Sequence, residues 1–113
     1  ERRGYIFGLH KILAAEDFDF LKKYQEISQI AYTDERLIDR KTKELIFVAI
    51  LTIKQSSREH IATHIEAASK AGATKEEILQ VLELTFLPGG AVNFLHAFEA
   101  FKEVLSPDMI EPE

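Results

Sequence analysis

Three side chains in this 113-residue chain have the type and spacing for proton transfer: His60, His64 and Glu44. The two histidines stand four residues apart in His60-Ile61-Ala62-Thr63-His64, so on a helix they share one side. Their line borders the apolar stripe of Ile61, Ile65 and Ala68, at the margin of a buried face where a cleft can form. If Ser56 or Ser57 opens that helix, His60 falls in its first turn. The positive helix end there disfavours an imidazolium and leaves a neutral ring able to act as base or ligand. Glu44 leads an apolar line, with Phe47 and Val48 one turn on and Leu51 beyond, and a sheltered carboxyl suits proton transfer. Each has a plainer reading beside this one. Both histidines can be partly buried surface residues with ordinary hydrogen bonds. Glu44 can form a salt bridge to Arg40 or Lys41 one turn back, worth about 0.3–0.5 kcal/mol when exposed.

The same residues bound what else can happen. A histidine pair at this spacing permits a metal site, but the glutamate that follows the first histidine in a zinc protease motif is missing. A third ligand would have to come from Glu44, Glu59 or His96. No metal and no cofactor is expected. The chain has no cysteine, which removes disulfides, thiolate nucleophiles and cysteine metal sites together.

The elements that must position these groups read as helices throughout. Ile6, Phe7, Leu9, Ile12 and Leu13 suit a short helix that Gly4 and Gly8 weaken. Asp17 reads as an N-cap for a helix with Phe20, Leu21, Tyr24, Ile27 and Ala31 on one face, ending near Tyr32-Thr33-Asp34. The next runs from Asp39 to about Lys54. Its latter half is apolar all round, which predicts burial on every side and, in a domain this small, a face against another subunit. A helix from Ser56 or Ser57 should stop at Gly72, with Glu59 placed to close a capping box with Ser56. Thr74 and Glu77 form a capping box for a helix through Leu87, which Pro88-Gly89-Gly90 breaks. The last helix carries Phe94, Phe98, Phe101 and Leu105 and ends before Pro107. The expectation is one all-α domain over residues 1–113, a bundle of about five to six helices.

Charge and hydropathy exclude further classes. With a net charge of −5 and acidic residues interleaved among Arg36, Arg40, Lys41 and Lys43, no basic face for nucleic acid is present. The apolar run Leu45 to Ile53 is far short of the ~20 residues a membrane span needs. No secretory leader is recognisable, and a water-soluble, cytoplasmic protein is expected.

Leu37-Ile38-Asp39-Arg40-Lys41-Thr42-Lys43-Glu44-Leu45-Ile46, then His64-Ile65-Glu66-Ala67-Ala68 and Lys70 to Ile78, then Pro88-Gly89-Gly90 before a helix, together resemble the carboxymuconolactone decarboxylase-like family over about residues 37–105. The resemblance implies an all-α fold that forms homo-oligomers, commonly trimers or hexamers, with sites near subunit contacts. One branch decarboxylates a muconolactone. The other, like alkylhydroperoxidase D, uses a Cys-x-x-Cys pair with a nearby glutamate and histidine. Setting that histidine on His64 puts Ser57 and His60 at the cysteine positions and Glu44 at the glutamate, one residue further off. A serine hydroxyl cannot replace a thiolate in peroxide reduction, so a cysteine-dependent peroxidase is excluded. The chain departs from the decarboxylase branch too: Phe86-Leu87-Pro88-Gly89-Gly90 stands where an aromatic–Gly–Gly/Phe–Pro pattern is usual.

The resulting expectation is acid–base chemistry, decarboxylation or a related step, on a small organic acid or lactone. His64 and His60 are the candidate proton carriers and Glu44 the carboxylate that orients them. The alternatives are a non-catalytic oligomeric scaffold that binds a small molecule or protein, and a metal-binding module.

Overall fold

In the computed structural model, which describes residues 4–108, four of the five helices begin where a short polar side chain accepts a backbone N–H. Asp17 accepts from Phe20, Asp39 from Thr42, Ser57 from His60 and Thr74 from Glu77. These bonds satisfy donors that a helix start otherwise leaves orphaned. The helices are α1 (Gly4–Glu16), α2 (Phe18–Ser28), α3 (Arg40–Ile53), α4 (Arg58–Lys70) and α5 (Lys75–Leu105). Among the described residues there are no strands, so the fold is all-α as expected.

The described chain divides between Ile38 and Asp39 into two compact units. In the first, α1 continues through Gly8, and Leu21 is buried. α2 passes into a wider turn over Gln29–Thr33, closed by Asp34 N–H donating five residues back to the Gln29 carbonyl.

The second unit holds α3, α4 and α5, joined by short turns that return each helix antiparallel to the last. Gln55, at φ 59°, turns the chain out of α3, and Gly72, at φ 106°, turns it out of α4. Val48 and Leu51 of α3, Ile61, Ala62, Ile65 and Ala68 of α4, and Ile78, Leu82, Ala97, Ala100 and Phe101 of α5 make the core. On α3, Glu44, Val48, Leu51 and Thr52 are buried within the single chain, while Ile46, Ile50 and Ile53 are 43%, 48% and 38% exposed. The cap of α4 is Ser57 rather than Ser56, so Glu59 sits one position too early to close a box with the cap. The Thr74–Glu77 box forms in both directions, Glu77 accepting from Thr74 N–H.

The break in α5 lies at Gly90 rather than at Pro88. Helical turns continue through Pro88 and Gly89, and Gly90 alone leaves them, at φ 83° and ψ 171°. Asn93 Nδ2 donates to the Gly89 carbonyl at 3.0 Å, occupying an acceptor at the break. By length and composition alone, one stretch of α5 is apolar enough to cross a membrane, at mean hydropathy 1.4. Its break and its seven buried residues fit a helix that serves the core.

Gly90 occupies a region that essentially only glycine enters, yet a Cβ there would meet nothing within 4 Å. Gly90→Ala is therefore expected to destabilise by about 1–3 kcal/mol through backbone strain alone. Urea unfolding of the variant checks it; an unchanged midpoint would show that α5 can straighten at this point.

Candidate functional site

Glu44 lies in the second turn of α3, on the face that also carries Val48 and Leu51, and is 1% exposed. A carboxyl so placed needs partners, since burying it bare is costly. Each oxygen has a different one. His64 of α4 donates its Nδ1–H to Oε1 at 2.6 Å, and Arg40, one turn back, approaches Oε2 with Nη1 at 3.4 Å. The salt bridge to Arg40 that the spacing allowed is formed, alongside the bond to His64.

His64 is held on further sides. Phe47 stacks on its ring at 4.8 Å and 16°, and the His60 ring lies 5.3 Å away at a tilt of 50°. Where the carboxyl is ionised, Nδ1–H donates to it and Nε2 keeps the lone pair. The His64 side chain is 13% exposed: sheltered, but within reach of solvent. Its position follows from α4's pattern, because Ile61, Ile65 and Ala68 are wholly buried and His60 and His64 lie at the edge of that stripe.

The structure brings His64 to Glu44 and sets the His60 ring beside that of His64. His60 is held below the usual histidine range, first by desolvation, then by the neighbouring His64 and Lys54. The helix start invoked from the sequence is not among these causes. Phe47 and the simultaneous use of Arg40 went unassigned in the sequence. Both stand one turn from Glu44, where a stacking or charged partner is always within reach.

The metal alternative gains no donor set. Among the described residues no three His, Asp or Glu side chains are grouped as a cation site, and His96 Nε2–H donates to the Ser56 carbonyl. Two surface clefts, one lined by Gly8, His10, Lys11, Ala14 and Leu21 and another by Arg58, Glu99, Lys102, Glu103 and Pro107, include none of the three candidate residues.

Comparison with protein families matches residues 19–103 to the carboxymuconolactone decarboxylase family. The chain belongs to that family. The match opens in α2, earlier than the residues that first suggested it, and takes in the whole carboxylate–imidazole pair. No curated protein matches the chain. The chain is a member of this family without cysteine. Here Ser57 is the α4 cap.

A histidine whose charged form is disfavoured titrates below the ordinary 6.5. NMR titration of His60 is expected to show this, and His64→Gln should move the midpoint part of the way back by removing one of two nearby positive charges. Because the folded value is depressed, the folded state binds fewer protons than the unfolded state between that value and 6.5. Stability at this residue therefore falls as pH drops through 6.5 towards the folded value.

Proposed function

We propose that this family member is an acid–base enzyme for a small organic acid or lactone, with decarboxylation as its reaction. The observation that carries this reading is the 2.6 Å bond from His64 Nδ1–H to the buried Glu44 carboxylate. A carboxylate in that position orients the imidazole, offsets the charge of its protonated form and leaves Nε2 as the nitrogen that exchanges a proton.

In the proposed reaction the carbon–carbon bond to the substrate carboxylate breaks and carbon dioxide leaves. The bonding pair passes into the conjugated lactone. His64 in its doubly protonated form gives the Nε2 proton to the carbon, returns to the neutral ring with Nδ1–H on Glu44, and regains the Nε2 proton from solvent. His60, whose burial favours the neutral ring, is suited to pass that proton inward. Arg40 and Lys54 add positive charge around the imidazoles, which favours an anionic substrate. No step uses a thiol, since these residues include none.

Homo-oligomers, trimers or hexamers, complete the proposal. Ile46, Ile50 and Ile53 form an exposed apolar stripe on α3, and Leu84, Leu87, Val92 and Leu95 of α5 are 60–79% exposed. Apolar area of this kind is commonly covered by association.

Carbon dioxide release from carboxymuconolactone and related carboxylated lactones tests the reaction. His64→Gln should lose about 10²–10⁴-fold in kcat, the usual worth of a positioned acid–base group, with helical content and assembly state retained. Wild-type turnover in that variant, or no release from any such lactone, would sink the proposal. For assembly, Ile50→Glu is expected to lower the sedimenting mass while leaving the circular dichroism spectrum intact. An unchanged mass would remove the α3 stripe from the interface.

A further inference from the structure

We infer that Arg40 is a positioning residue for the His64–Glu44 pair, and that its guanidinium decides which ring nitrogen of His64 carries the proton. The inference rests on the proton-transfer reading of that pair. Glu44 divides its oxygens, Oε1 to His64 Nδ1 and Oε2 to Arg40 Nη1. A carboxyl that is 1% exposed keeps its negative charge only where donors and cations meet it. An ionised carboxyl can only accept, so Nδ1 must donate to it and Nε2 is left for chemistry. A neutral carboxyl can donate instead. It would hydrogen-bond to a bare Nδ1 and move the ring proton to Nε2, reversing the polarity of the site. The guanidinium is charged at every working pH and biases the pair towards the first arrangement.

A second observation comes from the start of α3. The first turns of α2, α4 and α5 carry Asp19, Glu59, and Glu76 with Glu77, the sign that a helix start favours. The first turn of α3, like that of α1, carries no acid; Asp39 caps α3, and Arg40 and Lys41 open it. Lys41 is answered by Glu77 at 3.1 Å, and Arg40 by Glu44. A residue that breaks a local preference and reaches a buried carboxylate is where a demand of the site outweighs the helix. Phe47 already fixes the plane of the His64 ring by stacking. What remains for Arg40 to govern is the position of the ring proton.

The test is a nitrogen NMR measurement of the His64 tautomer in the intact chain at mildly alkaline pH. His64→Gln assigns the signals among the four histidines. Wild type is expected to carry the proton on Nδ1, and Arg40→Lys to keep it there. Arg40→Gln should shift the population to Nε2, so that the two nitrogens exchange their protonated and unprotonated resonance positions. Arg40→Met, which keeps the aliphatic stem, repeats the measurement should the glutamine variant not fold. An unchanged tautomer in the neutral variants overturns the inference, as does the same shift in Arg40→Lys. The readout needs no substrate, so its failure is told apart from failure of the proposed reaction.

Discussion

The structure of the second unit turns on one constraint: a carboxyl group on α3 is removed from water and has to be met there. α4 answers with His64, and α3 itself with Arg40. Because the imidazole comes from a different helix, the pair ties α3 and α4 to one rotational register. Turning α4 by one residue would carry His64 about 100° away from Glu44 and bring an apolar side chain to the carboxylate. The core residues Val48, Ile61 and Ile65 favour burial of these faces, but burial is not directional. The hydrogen bond is directional, and it selects among the packings that the apolar residues would tolerate.

The same pair explains how a chain of this family can present a site without sulfur. The positions that the resemblance assigns to the thiols are occupied by Ser57 and His60. Ser57 has become the cap of α4, receiving the His60 N–H, so the start of that helix is secured by the residue whose counterpart would otherwise react. His60 supplies a second imidazole beside His64, held towards its neutral form by burial and by its positive neighbours. Two imidazoles in unlike surroundings are suited to opposite parts in a proton transfer.

α5 meets a different demand. A helix spanning Lys75–Leu105 must serve α3 and α4 along its length, and the departure at Gly90 redirects its second half. Pro88 removes a donor, and Gly90 supplies a backbone conformation closed to other residues. Asn93, itself buried, gives its amide to the Gly89 carbonyl at the break. Around the break Phe86, Leu87 and Val92 are exposed.

Local rules made much of this legible without a structure. Asp17, Asp39 and Thr74 cap helices because short acceptors answer donors within three residues, and the four-residue step placed His60 beside His64 whatever the rest of the chain did. Composition alone removed thiol chemistry. The structure settles details the sequence left open: Ser57 rather than Ser56 caps α4, and within Pro88-Gly89-Gly90 the helix departs at Gly90. Only the tertiary structure could decide the partners of Glu44, because His64 lies twenty residues away on another helix and their approach depends on how two apolar faces mesh. The cause of the His60 shift was likewise out of reach from the chain, since desolvation is a property of what surrounds a ring rather than of its place on a helix. Sequence periodicity specifies which residues share a face, and the distance between faces is set by the packing of the whole core.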